Sequence, residues 1–302
     1  MSTNRRTNRL DPFGYHFNQA GQLRSTPNPE EKFKFVTQDH YERLGDTVAL
    51  TIQDMMKEAP YNLQEILIPV APQPQEEILP PLPQTNNDDD DKKARSNIFI
   101  SNDFYTNTDR LMVIICGSGQ VRAGQWARSL CINDSLKTGS ILPYLERAEL
   151  NGFATIVLNP NLNFVGNSPV EGSESPINHA LYCYDNFVAK SPAQQVVIVA
   201  HSFGGVVTMN LLSKRKPLLE RLKAVALTDS VHSPHQVRGD TEQLLKFLQD
   251  RCRNWIASNE PLDTDFGSNP SCSIVSSGSN IHEYTSSSCM ESLFKYIKGL
   301  TL

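Results

Sequence analysis

The 302-residue sequence lacks the marks of several protein classes. No stretch reaches the roughly 18 consecutive apolar residues of a membrane-spanning helix. The opening "MSTNRRTNRLDPFGY" has no apolar core of the kind a signal peptide needs. These absences predict an intracellular protein without a membrane partner. The six cysteines (Cys116, Cys131, Cys183, Cys252, Cys272 and Cys289) include no CxxC pair, so no zinc-type spacing exists and no metal is expected. Several sit in apolar segments, which predicts buried free thiols in a reducing compartment. No Lys-Ser/Thr pair follows the Gly117–Gly119 turn, which disfavours a phosphate-binding loop, and no cofactor is expected. A net charge of −5 exerts no global pull on polyanions, and direct nucleic-acid binding is not expected.

With 39% hydrophobic and 20% charged residues, the chain can fill one large α/β domain or at most two smaller ones. Residues 1–12, carrying Arg5, Arg6 and Arg9, read as a basic tail, and a single domain is expected over 13–302. "FGYHFNQAGQLR" alternates around Asn18 to Gly21 and predicts a β-hairpin at the edge of a sheet. Residues 39–58 place Tyr41, Leu44, Val48, Ile52 and Met55 at helical spacing, with Asp39 as cap and Pro60 as stop. Residues 71–95, rich in Pro, Gln and Asp and including Asp88–Asp91, read as a solvated loop between two strands.

Beyond that loop, short apolar runs alternate with helical segments: "NIFIS", "LMVIIC", "ATIVLN", "VVIVA", "KAVALT" and "CSIVSS", with "ILPYLERAELNG", "INHALYCYDNFVAK", "VVTMNLLSKR", "TEQLLKFLQDRCRNWI" and "MESLFKYI" among and after them. Strands this apolar are covered on both faces, and the alternation implies parallel connections. The predicted fold class is α/β: a doubly wound, mostly parallel sheet of α/β-hydrolase type with helices on both faces and an added N-terminal hairpin. Lys214, Arg215 and Lys216 close one helix, where cations complement its negative end.

The chemistry concentrates in "VVIVAHSFGGVVTMNLL". Strand, small residue, x, Ser202, x, Gly204 and helix form the nucleophile-elbow order, with Ala200 in place of the first glycine. A serine in that turn needs small flanking residues, and the following helix aims N–H groups at it, so the Phe203 N–H is a candidate oxyanion donor. Gly117 and Ser118, after the strand "LMVIIC", are candidates for the second donor. A nucleophilic serine needs a base and an orienting acid, in the chain order Ser, acid, His. His282, beyond the last expected strand, is the candidate base. Asp229, directly after "KAVALT", is the candidate acid, with Asp263 as the alternative and Asp265 as a further rival. His232 suits a structural or pocket-lining role, and Glu283 is too close in sequence to His282 to orient it.

"GSGQVRAGQWARSLCIND", "ATIVLNPN", "VVIVAHSFGG", "AVALTDSVH", "EPLDT" and "IHEYTSS" together resemble the argonaute-binding Arb-two domain family, in particular its stand-alone animal members. The resemblance runs from about Phe13 to near the C-terminus. It implies an α/β-hydrolase fold, a nucleophile at Ser202, and a nuclear and cytoplasmic protein whose partners are argonaute and chromatin or splicing proteins. Where such relatives carry His-Gly-Ser-Gly in the oxyanion loop, this chain has Cys116-Gly117-Ser118-Gly119. Two classes of function therefore stand side by side: an interaction scaffold for silencing or splicing machinery, and a serine hydrolase acting on a small acyl substrate.

Overall fold

The computed structural model describes residues 9–70, 93–237 and 241–301. Most of the expected 71–95 loop and the first eight residues of the expected tail lie outside them. Nine strands build the main sheet: β1 (Gln64–Ile68), β2 (Ser96–Ile100), β3 (Arg110–Ile115), β4 (Phe153–Val157), β5 (Gln195–His201), β6 (Leu222–Thr228), β7 (Cys252–Ile256), β8 (Asp265–Asn269) and β9 (Cys272–Ser276). Their order across the sheet is β8-β9-β7-β6-β5-β3-β4-β2-β1. The block from β4 to β9 is parallel, whereas β1, β2 and β8 pair antiparallel at the two sides.

The central strands are apolar on both faces because each face has its own core. Leu111, Val113, Ile115, Val196, Ile198, Ala200, Val225 and Leu227 pack into one layer. Met112, Ile114, Val197, Val199, Ala224 and Ala226, the alternate residues, pack into the other. Helices Pro176–Asn186, Phe203–Lys214 and Glu242–Arg251 cover the first face, and helices Gln38–Lys57, Leu142–Leu150 and Met290–Thr301 the second. Arg215, in the basic group closing the Phe203–Lys214 helix, makes two bonds of 2.7 Å to Asp185. The architecture is the expected doubly wound sheet of α/β-hydrolase type. No helix among the described residues is long and apolar enough to cross a membrane.

Several local expectations need correction. The N-terminal hairpin, Tyr15–Phe17 against Leu23–Ser25, forms its own two-stranded ribbon and not an edge of the main sheet. Its turn closes on Asn18, whose Oδ1 accepts the N–H groups of Ala20 and Gln22, and the Gly21 carbonyl accepts from Leu136 N at 2.7 Å. Residues 9–12, read as tail, are part of the fold, because Leu10 is completely buried and Arg9 pairs with Asp54. The first long helix is capped by Thr37, not Asp39: the Thr37 side chain accepts the His40 N–H. "TEQLLKFLQDRCRNWI" splits into the Glu242–Arg251 helix and strand β7. Strand β8, polar and exposed, gives no periodic signal and forms only because β9 offers it a backbone ladder.

Candidate active site

Ser202, directly after β5, has φ 52° and ψ −119°, outside the regions a serine ordinarily adopts. Holding it there costs about 1–3 kcal/mol, supplied by the surrounding backbone. Ser202 N donates to Thr228 O at 3.0 Å, and Ser202 O accepts from Gly205 N and Val231 N at 3.1 and 3.3 Å. The two glycines that follow have separate reasons to lack a side chain. A Cβ on Gly204 would lie 2.8 and 2.9 Å from the carbonyl oxygens of Ile115 and Cys116, and one on Gly205 would lie 1.8 Å from Ser230 Oγ. Ala200 is fully buried in the first core layer, so its methyl group is accommodated at the first glycine position.

Register brings the other groups to the same sheet edge. Strand β6 pairs with β5 so that Thr228 lies beside His201, which puts Asp229 next to Ser202. Asp229 itself has φ 42° and donates its N–H to Trp255 O on β7 at 2.8 Å. Its Oδ1 accepts from Ala257 N at 3.0 Å, and its Oδ2 accepts from His282 Nδ1 at 2.6 Å. Burial opposes the Asp229 charge. The His282 and Ala257 hydrogen bonds outweigh it and hold the carboxylate below its ordinary range. The same bond to Asp229, against some burial, raises His282 above the ordinary histidine value. With Nδ1 committed to Asp229, His282 Nε2 is the atom left to act as a base.

No hydrogen bond among the described residues joins Ser202 to His282. Against His282 lies His201, which sequence reasoning did not single out, although it immediately precedes the serine. The His201 ring lies 4.7 Å from that of His282. Its Nδ1 is placed 2.9 Å from Thr228 O and 3.0 Å from Thr228 Oγ1, with Ser286 Oγ at 3.3 Å. Burial, and then the neighbouring His282, push His201 down to about 4, so it stays neutral when His282 takes a proton.

The loop after β3 reaches the serine. A Cβ on Gly117 would stand 3.0 Å from Ser202 Cβ, so its backbone passes directly against the nucleophile candidate, while Ser118 is exposed next to it. Asn161, also missed from sequence, fixes this loop: its Nδ2 donates to Gly117 O at 2.7 Å and to Val121 O at 3.1 Å. Phe203 opens the following helix, half-buried against the first core layer.

The remaining candidates fall elsewhere. Asp263, the alternative acid, is not hydrogen-bonded to His282: its Oδ1 accepts from Trp255 Nε1 at 2.9 Å, and both oxygens accept from Ser292 Oγ at 2.6–2.7 Å. Asp265 closes a turn by accepting Gly267 N at 2.7 Å. His232 lies between Ser230 and Ser271, outside the Ser202–His282–Asp229 group.

A doubly wound sheet with a strained serine at the end of its central strand, and an Asp–His pair arriving from later strands, defines an α/β-hydrolase-type protein. Within that class the chain belongs to the Arb2 domain family, whose model matches residues 7–262. It is 43% identical to "Cotranscriptional regulator ARB2A homolog" of Dictyostelium discoideum, covering 95% of this chain and 79% of that protein. It is 34% identical to "Cotranscriptional regulator ARB2A" of Homo sapiens over the same shares of both chains. Among solved structures it resembles the histone deacetylase Clr3, with a TM-score of 0.56 and 16% identity, over 90% of this chain and 41% of that one. At that identity the likeness speaks for the fold alone.

Proposed function

We propose that the chain is a serine acyl hydrolase working in cotranscriptional regulation, with Ser202 as nucleophile, His282 as base and Asp229 as orienting acid. The observation that carries the chemistry is the 2.6 Å Asp229–His282 bond at the sheet edge where Ser202 is held at φ 52°. Attack by Ser202 Oγ on an acyl carbonyl transfers its proton to His282 Nε2, and Asp229 stabilises the imidazolium that forms. The Phe203 N–H and the backbone of Gly117 and Ser118 stabilise the oxyanion. His282 returns the proton to the leaving group, and water then releases the acyl group by the reverse sequence. The mechanism requires a Ser202 Oγ–His282 Nε2 hydrogen bond in the substrate complex, where such catalytic bonds commonly tighten. Val231 and Ile281, beside Ser202 and His282 and 59% and 49% exposed, supply an apolar rim suited to an acyl chain.

The regulatory half rests on the named relatives at 43% and 34% identity. Those names support a cotranscriptional regulator; action in the nucleus beside chromatin-associated proteins, with argonaute and splicing proteins as partners, is part of the proposal.

A fluorophosphonate probe tests the chemistry directly. It is expected to label purified, folded protein at the peptide carrying Ser202, and His282→Ala is expected to abolish the label. Failure of the folded wild type to react would remove the hydrolase reading. The regulatory reading has its own test: the tagged chain is expected to fractionate with chromatin and cross-link to argonaute or splicing proteins, and exclusion from the nucleus would overturn it.

A further inference from the structure

A second nucleophile–base pair lies outside the Ser202 site. Cys252 and Cys272 each open a strand, one step before the parallel partners Arg253 and Ser273 on β7 and β9. Neighbouring strands run about 4.8 Å apart, within the roughly 4.4–6.8 Å of Cα separation that a disulfide spans. Both side chains enter the same core layer, so the two thiols share a face of the sheet. His232 Nε2 lies 3.7 Å from Cys272 Sγ and 3.0 Å from Ser271 Oγ. Its Nδ1 is fixed 2.7 Å from Ser230 Oγ, and Ser230 is held by Asn254, whose Oδ1 accepts the Ser230 N–H at 3.0 Å. The cluster thus contains a thiol, a base, an orienting hydroxyl and a second thiol.

Cys116, Cys131, Cys183 and Cys289, which have no such partner pair, behave as inert core thiols. Burial pushes Cys116 and Cys131 up to about 12, and Cys183, Cys289 and Cys252 upward as well. Cys272 goes the other way. The neighbouring Cys252 thiol, and after it His232 at 3.7 Å, outweigh burial and hold it below the ordinary thiol range. A thiol held as thiolate beside a base is the reactive kind, and a thiol that merely fills a core is not.

We propose that Cys272 is a peroxide-reactive cysteine and Cys252 its resolving partner. The Cys272 thiolate attacks one oxygen of a hydroperoxide and the O–O bond breaks. The leaving alkoxide or hydroxide takes up the proton that His232 had accepted from the thiol, and Cys272 becomes a sulfenic acid. Cys252 sulfur then attacks that sulfur, forming the S–S bond and breaking S–O, and the departing hydroxide leaves as water with the Cys252 proton. Two thiols and one hydroperoxide become a disulfide, an alcohol or water, and a water, the thiols losing the two electrons that the peroxide gains. Both sulfurs are shielded, Cys272 completely and Cys252 all but 1%. Access therefore depends on local opening of the strand ends, which admits a small hydroperoxide such as hydrogen peroxide and not a bulky disulfide reagent.

Native wild-type protein treated with hydrogen peroxide, alkylated under denaturing conditions and mapped by mass spectrometry tests this. The expected product is the Cys252 peptide joined to the Cys272 peptide with loss of two hydrogens, formed before the other four cysteines react. In Cys252→Ser, a 1,3-dicarbonyl sulfenic-acid probe is expected to mark Cys272. His232→Gln is expected to slow oxidation about tenfold, through the lost thiolate fraction partly offset by higher intrinsic nucleophilicity. Cys272 staying a free thiol in the wild type while other cysteines oxidise would overturn the proposal. Unchanged kinetics in folded His232→Gln would overturn the role of the base.

Discussion

Ser202→Ala is expected to lower hydrolytic turnover of activated acyl esters by on the order of 10^4–10^6-fold, the scale found when the nucleophile of a triad is removed. The effect is so large because no neighbouring group takes over. His201 has its Nδ1 committed to Thr228, and Cys116, one residue before Gly117, has its thiol pushed up to about 12 by burial and so carries almost no thiolate. The substitution keeps a Cβ at φ 52°, so the backbone strain stays and the fold loses little. Ser202→Gly removes the same nucleophile and relieves the strain, and is therefore expected to melt no lower than the alanine variant. Turnover on p-nitrophenyl esters, together with thermal melts of both variants, checks the pair of claims. Residual wild-type turnover in either variant would place the nucleophile elsewhere.

Asp229→Asn is expected to cost roughly 10^4-fold in turnover, about 5.5 kcal/mol of barrier, while the protein still folds. Two of its carboxylate functions explain the size. Asp229 fixes His282 with the proton on Nδ1 and Nε2 free, and its negative charge stabilises the imidazolium; an amide supplies no charge and can present its N–H to the ring, selecting the wrong tautomer. The pH dependence carries a sign that separates this from a packing effect. In the wild type, His282 must be neutral to act as base, and Asp229 raises it above the ordinary 6.5. Activity is therefore expected to rise with pH through a midpoint above 6.5. In Asp229→Asn the stabilised charge is gone, so the remaining activity should rise through a lower midpoint. Asp263→Asn serves as the control: it disturbs bonds to Trp255 and Ser292 and should leave both rate and midpoint in place. A rate loss confined to the Asp263 variant would reverse the assignment.

The same pair of aspartates shows where reading the sequence ran out. Both lie downstream of Ser202 and upstream of His282, so chain order admits either. Partner choice comes from sheet register: β6 ends beside β7, Asp229 N bonds Trp255 O, and the carboxylate then meets His282. Asp263 is consumed by the indole of Trp255 and the hydroxyl of Ser292, groups 8 and 29 residues away in the chain. Likewise, nothing local in "AHSFGG" says that His201 will lie under the ring of His282, and nothing in "NPNLNF" says that Asn161 will hold Gly117.

What the sequence determined by itself is local in origin. Apolar runs buried on both faces dictated a parallel sheet, helical spacing dictated its covering layers, and the Ser-Phe-Gly-Gly run after an apolar strand dictated a tight strand-to-helix turn, because each depends on residues within a few positions of one another. Tertiary structure alone decided that the N-terminal hairpin stands apart from the main sheet, that the polar β8 becomes a strand, which aspartate meets His282, and that Cys252 and Cys272 stand side by side. Those outcomes depend on hydrogen bonds and contacts between segments far apart in the chain, and such pairings exist only once the register of the strands has been chosen.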